Sequence, residues 1–201
     1  MDGDIAPLKA ISELCGKYNA HLIVDEAHAT GVVGEKGEGL VQQLDLQKKC
    51  FARVHTFGKA LGCHGAIILG SETLKNYLIN FSRAFIYTTS LPEISVDAIK
   101  KAYELFPHMN NEREHLEQLI ADFQNATLNF EKLKSLTPIQ VVIIPGNDEV
   151  KKIASYLQEN NFDVRAIVYP TVQKGSERLR IVLHSFNTVD EVSLLVEKLN
   201  G

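Results

Sequence analysis

Apolar positions along this chain switch between helical spacing and short unbroken runs, the pattern of helices alternating with strands. Leu8, Ile11, Leu14 and Cys15 keep helical spacing through about Tyr18. Asp4 or Ala6 begins that helix, with Pro7 tolerated in its first turn. Asn19-Ala20 ends it, and His21-Leu22-Ile23-Val24-Asp25 reads as a short buried strand that delivers a carboxylate at its end. Residues 31–40 are glycine-dense and polar and read as a loop. Arg53–Phe57 and Gly65–Gly70 are two further strand-like runs, separated by Gly58-Lys59-Ala60-Leu61-Gly62. This order predicts a mostly parallel α/β sheet, in which ligands bind beyond the carboxyl ends of the strands.

Further along, Ser71 is a plausible N-cap for an amphipathic helix over 72–83. Tyr87-Thr88-Thr89-Ser90 is β-prone and rich in hydroxyls, and Leu91-Pro92 closes it. A helix over 93–105 carries Ile94, Ala98 and Ala102 on one face, and Pro107 interrupts it. A second helix over 110–125 has Leu116, Leu119, Ile120 and Phe123 as its apolar side. The remainder reads as a small α+β domain. It has strands at 139–144, 163–168 and 178–183 and helices at 148–159 and 188–199. Thr188 with Glu191 three positions on forms a capping box for the last helix. The expected division is a portion of a large α/β domain over 1–92, linking helices over 93–125, and the small domain over 126–201.

Composition narrows the function classes. At 201 residues, with 45% apolar and 23% charged, the chain has an ordinary globular make-up. A net charge of −4 and the absence of a basic run argue against a non-specific nucleic-acid binder. No stretch reaches the roughly eighteen uninterrupted apolar residues of a membrane span. The chain opens on charged Asp2 and Asp4 rather than on a secretory leader. Cys15, Cys50 and Cys63 lack metal spacing and leave an odd thiol, which fits a reduced, cytoplasmic setting.

The candidate chemistry lies in Asp25 and Lys59, thirty-four positions apart. An acid at one strand end and a lysine just after the next strand is the layout pyridoxal phosphate needs. Its ring nitrogen stays protonated beside a buried carboxylate, and only then is the ring an electron sink. The lysine needs a pocket that lowers its pKa, or capture by the cofactor's aldehyde. Gly58 permits a tight turn beside Lys59, and Thr56 offers a hydroxyl to the same place.

Val24-Asp25-Glu26-Ala27-His28-Ala29-Thr30-Gly31, with Gly34 and Gly37-Glu38-Gly39 behind it, resembles the α-oxoamine synthases, a family of fold-type I pyridoxal-phosphate enzymes. Thr56-Phe57-Gly58-Lys59-Ala60-Leu61-Gly62 is similar to their cofactor-lysine motif. Asp2-Gly3-Asp4-Ile5-Ala6-Pro7-Leu8, Phe85–Pro92 and Arg178-Leu179-Arg180-Ile181 match further family segments in the right order. The resemblance implies the C-terminal part of a fold-type I transferase that works as a homodimer with its site at the subunit interface. Lys59 would be the Schiff-base lysine and catalytic base, and Asp25 the partner of the ring nitrogen. His28 would lie against the cofactor's phenolic oxygen. Thr56 would contact the phosphate, and Thr88 or Thr89 would reach the phosphate of the neighbouring subunit's cofactor. Arg180 would hold the carboxylate of an amino-acid substrate, where a guanidinium fork fits bidentately. The second substrate is an acyl-coenzyme A, and carbon dioxide is lost to give an α-amino ketone. The branch that joins alanine to a pimeloyl thioester for biotin synthesis looks closest, with the glycine C-acetyltransferase and serine palmitoyltransferase branches left open. In the family the Asp-Gly-Asp segment lies in mid-chain, so the chain alone is expected to hold the fold without turning over substrate.

Each of these residues also has a plain structural use. Asp25 alone would be a strand-end carboxylate capping the next turn, His28 a solvated loop histidine, and Lys59 an exposed turn lysine. Thr56, Thr88 and Thr89 would be β-formers, and Arg178 and Arg180 two surface arginines on one strand face. His55 and His64 match no family role and read as structural; Cys15 and Cys63 read as small core residues. Val168 and Glu93 depart from the family pattern, which bears on acyl-donor contacts rather than on the lysine. A non-catalytic α/β scaffold and an aminotransferase of the same fold type are the rival readings.

Overall fold

Helix α1 (Leu8–Lys17) starts one residue after Pro7 and turns Leu8 inward to meet Val41 and Leu46. Ile11, Val24, Leu40, Leu44 and Cys50 pack around that cluster. Strand β1 (Ile23–Asp25) is next, then the glycine-dense loop expected over 31–40, which ends in a short helix α2 (Leu40–Gln43). In this computed structural model, which describes residues 1–201, β1 pairs in parallel with β2 (Ala52–Thr56), Asp25 standing opposite Val54. β2 then pairs antiparallel with β3 (Ala66–Gly70), Thr56 opposite Ala66.

The sheet is therefore mixed, where the helix–strand alternation predicted a mostly parallel one. Connection length explains the difference. Residues 57–65 are too few for a parallel crossover, which takes about a dozen residues or more, so β3 returns as a hairpin arm. Nor is β1 buried as expected: Ile23 is 61% exposed and Asp25 is also exposed. β1 has a hydrogen-bonded neighbour on one edge only.

Helix α3 (Glu72–Phe81) begins where Ser71 was expected to cap it, Ser71 Oγ accepting from the Leu74 amide at 3.1 Å. The β-prone run at 87–90 is not a strand. Helix α4 (Arg83–Ile86) precedes it, and the Thr88 hydroxyl donates to the Ala84 carbonyl. Thr88 itself lies just past the helix, in the bend that follows Tyr87. Helix α5 (Glu93–Leu105) passes into a 3₁₀ turn over Phe106–His108, which carries Pro107. None of α3, α4 and α5 has a buried residue.

These elements make one compact unit, Pro7–Asn110. Met1–Ala6 and Asn111–Gly201 make a second. Helix α6 (Asn110–Asn125) buries Leu116, Leu119, Ile120 and Phe123, the stripe its spacing predicted. Strands β4 (Glu131–Lys132), β5 (Ile139–Ile143), β6 (Arg165–Ile167) and β7 (Arg178–Val182) form an antiparallel sheet in the order β4-β5-β7-β6. Helix α7 (Asn147–Glu159) and helix α8 (Val189–Asn200) complete the unit, and α8 opens with the Thr188–Glu191 capping box. Met1–Ala6 is stitched in by side chains. Ser135 and Thr137 hydroxyls donate to the Gly3 carbonyl, and Arg178 pairs with Asp2 at 2.7 Å. Gly3 has φ +79°, and a Cβ there would lie 2.2 Å from the Ile139 carbonyl oxygen, so only glycine fits.

Candidate functional site

Because β1 and β2 run parallel, Asp25 and Thr56 end on the same carboxyl edge of the sheet, and Lys59 stands three residues beyond Thr56. The loop carrying Lys59 is tightly closed. Phe57 N–H donates to the Gly65 carbonyl at 2.9 Å, Cys63 N–H to Phe57 at 2.7 Å, and Gly62 N–H to Lys59 at 2.9 Å. Gly62 and Gly65 take the left-handed backbone this needs, with φ +64° and +105°. Gly58, expected to permit the turn, is not required for it: its φ is not left-handed and a Cβ would sit 3.6 Å from the Cys63 carbonyl oxygen, an ordinary contact.

Residues 25–30 fold into a turn. Asp25 Oδ1 accepts from the Ala27 amide at 2.8 Å, and the Glu26 amide donates to the Val54 carbonyl at 2.8 Å. The Asp25 carboxylate thus does cap the turn it starts, and this bond orients it while Oδ2 stays available. His28 is exposed at the middle of that turn, and Lys59 is exposed on its loop. The buried surroundings expected for the carboxylate are not supplied by this chain's own side chains. Thr56 differs: its hydroxyl oxygen is buried and has no hydrogen-bond partner. A buried hydroxyl orphaned beside the lysine loop is free to donate to an incoming acceptor.

Among the other expected residues, Thr88 and Thr89 are both exposed in the segment after α4. Thr88 spends its one proton on Ala84, which leaves Thr89 as the stronger donor of the two. Arg180 stands half-buried on β7 of the other unit, opposite Val141 and Arg165, and makes no ion pair there. Its strand neighbour Arg178 is no surface residue. It is 8% exposed and held by Asp2 and the Ser176 carbonyl. Nowhere do three His, Cys, Asp or Glu side chains group closely enough to hold a metal.

Two residues beside the site carry more than their sequence context suggested. Glu26 is 1% exposed, and its two carboxylate oxygens accept the Leu40 and Val41 amides at 2.9 Å each, capping α2. His55, 4% exposed on β2, lies 2.7 Å from the Thr30 hydroxyl, and burial pushes its imidazole pKa below the ordinary value. Glu26 reaches fourteen residues along the chain and His55 twenty-five, so no local pattern could have marked either.

The model of the family described as aminotransferase class I and II matches residues 1–199, and the chain belongs to that family, whose members are pyridoxal-phosphate enzymes. The chain is 43% identical to the 8-amino-7-oxononanoate synthase of Emericella nidulans over 98% of its own length and 51% of that protein's. It is 39% identical to the enzyme of the same name from Cellvibrio japonicus, over 99% of its length and 51% of that protein's. The crystal structure of 8-amino-7-oxononanoate synthase from Francisella tularensis superposes with a TM-score of 0.88 at 30% identity, covering 100% of this chain and 59% of that one. A serine palmitoyltransferase from Sphingomonas wittichii shares the fold, with a TM-score of 0.91 at 24% identity, over 100% of this chain and 51% of that one. The chain spans about half the length of the curated relatives it matches. No helix is long and apolar enough to cross a membrane.

Proposed function

We propose that this chain carries the lysine-bearing part of a pyridoxal-phosphate acyltransferase of the 8-amino-7-oxononanoate synthase type. The reaction joins alanine to a pimeloyl thioester of coenzyme A and releases carbon dioxide, a step of biotin synthesis. The observation that carries the reading is the shared carboxyl edge of β1 and β2, which puts Asp25 and Thr56 together with Lys59 just beyond. The residues fit the cofactor: a carboxylate oriented by the Ala27 amide, an orphaned buried Thr56 hydroxyl, and a lysine on a closed, glycine-turned loop.

Pyridoxal phosphate, when bound, supplies the electron sink that makes the substrate's α-carbon acidic. The chain's own side chains do the rest. Asp25 keeps the ring nitrogen protonated, and His28 orients the ring from the adjacent turn. Thr56 holds the phosphate. Lys59 would hold the cofactor at its aldehyde and would serve as the base for the substrate's α-proton. Arg180 orients the substrate carboxylate. Thr89 reaches the phosphate in a neighbouring subunit. The open faces of α3, α4, α5 and β1 support a dimer, since apolar surface on that scale is ordinarily covered. Cytoplasmic residence is part of the same proposal and rests on its substrates.

The test uses the full-length enzyme, since this chain alone is expected not to turn over substrate; it offers alanine, glycine and serine against several acyl-coenzyme A thioesters and identifies the ketone product. Alanine with the pimeloyl thioester should win; glycine or serine winning overturns the branch assigned. Amino-group exchange with keto acids and no need for coenzyme A would make the protein an aminotransferase. Adding pyridoxal phosphate should give a visible absorption band that Lys59→Ala abolishes. A band indifferent to that substitution overturns the role of Lys59, and no band at all favours a scaffold without cofactor.

A further inference from the structure

The turn that carries Asp25 and His28 touches β2 at two points. One is the backbone bond from the Glu26 amide to the Val54 carbonyl. The other runs between side chains, from Thr30 Oγ1 to His55 Nδ1, 2.7 Å apart and buried. Thr30 also closes the turn on itself. Its amide and its hydroxyl both reach the Glu26 carbonyl, at 2.9 and 2.8 Å, and the Ala29 amide joins them at 2.9 Å. His28 lies inside that closed turn. On the other side of the second contact, His55 directly precedes Thr56 and stands four residues before Lys59.

Proton counting sets the tautomer. A threonine hydroxyl has one proton and can give it to the Glu26 carbonyl or to His55, not to both. His55 Nε2 is buried and has no partner. Were Thr30 to donate to Nδ1, the imidazole proton would sit on Nε2 as a buried, unsatisfied N–H, which folded proteins avoid more strictly than an unsatisfied acceptor. With the proton on Nδ1, His55 donates to Thr30, Thr30 donates to Glu26, and only a lone pair is left over. Burial lowers the imidazole pKa more than the Glu26 and Asp25 carboxylates raise it, with Arg53 adding to the lowering, which favours the neutral ring.

We propose that His55 is a positioning residue: as the Nδ1–H tautomer it ties the 26–30 turn to β2 and so holds Asp25 and His28 in register with Thr56 and Lys59. The structural half stands on this chain alone, and its consequence for the cofactor rests on the function proposed above. His55 touches none of the reacting groups. It acts by keeping two sets of them, carried by different strands, from sliding apart. Removing its bond to Thr30 leaves the backbone bond between Glu26 and Val54 to hold the turn against β2.

Ring nitrogen NMR of the 201-residue chain tests the tautomer directly. Nδ1 should show the protonated pattern and Nε2 the bare one; the reverse overturns the assignment. Amide hydrogen exchange tests the tie. His55→Leu should speed exchange at Glu26 and Thr30 by roughly five- to tenfold, the effect of losing one net hydrogen bond, while amides of α1 keep their rates. His55→Asn, whose side-chain N–H can reach the Nδ1 position, should restore protection. Uniform acceleration across the unit, or none at all, overturns the positioning role. With pyridoxal phosphate added, His55→Leu should weaken uptake by a similar factor and move the pH at which the visible band changes, with His55→Asn close to wild type. Uptake and pH profile unchanged in His55→Leu overturn the link to the cofactor. The cofactor measurements use the full-length enzyme: if its wild type takes up no cofactor, the proposed function fails, and exchange and NMR on the 201-residue chain decide the tie by themselves.

Discussion

The two units were built by one chain to different degrees of closure. In 111–201 the central strands β5 and β7 carry the core: Gln140, Val141, Val142 and Leu179 have no exposed surface. Helices α6, α7 and α8 each bury three or more side chains. In 7–110 every residue of β3 is exposed or half-exposed, and α3, α4 and α5 bury none. Seventeen of the twenty-six exposed large apolar side chains fall in this unit, among them Phe81, Phe85 and Ile94 at 66%, 63% and 77%. The candidate cofactor residues Asp25, His28, Thr56 and Lys59 belong to the open unit. They are placed by turns and strand pairing rather than by a surrounding core.

The largest effect that separates the two units is a core truncation. Phe123→Ala in α6 empties a fully buried position and should cost about 3–5 kcal/mol. Phe85→Ala, at an exposed position, should stay within about 0.5 kcal/mol. Denaturant unfolding of both variants reads the contrast, and equal losses would mean the open unit packs against something already. Next in size is Glu26→Ala, which strands the Leu40 and Val41 amides and should cost about 2 kcal/mol by leaving buried donors unsatisfied. Exchange at those two amides should rise well before the rest of the unit.

Acid should weaken the units in different ranges. His55 has a folded pKa below its ordinary 6.5 because burial disfavours its charged form. The unfolded chain therefore binds the extra proton first, and stability of 7–110 is full above about 6.5 and falls as pH drops below it. Glu177 has a folded pKa below its ordinary 4.5, chiefly because the Gly146 amide donates to it. Its contribution to 111–201 is complete above 4.5 and is lost only as pH falls lower. Protection factors, corrected for the intrinsic pH dependence of exchange, should fall in 7–110 from pH 7 to 5 while those in 111–201 hold, and His55→Asn should flatten that slope. The smallest expected effect is at the helix caps. Thr188→Ala removes a two-way capping box and should lower the unfolding free energy of 111–201 by about 1 kcal/mol. Ser71→Ala, at a single-bond cap on an exposed helix, should change the open unit by less.

Helix ends show why part of this was readable in advance. Ser71, Thr188 with Glu191, and the stripe Leu116, Leu119, Ile120 and Phe123 act within three or four residues of themselves, so periodicity and cap chemistry determine them locally. The same holds for Asp25 at a strand end and Lys59 after the next strand, whose order along the chain already implied a shared edge. What only the tertiary structure decided lies at longer range. A short connection turned β3 antiparallel, residues 87–90 became a turn after α4 instead of a strand, and the Asp2 carboxylate took Arg178 off the surface. Glu26 and His55 look like ordinary polar residues until folding buries them against partners fourteen and twenty-five positions away. Local spacing encodes which face a residue takes, whereas burial of a charge or an imidazole depends on which distant backbone arrives to satisfy it, and that is known only once the chain has folded.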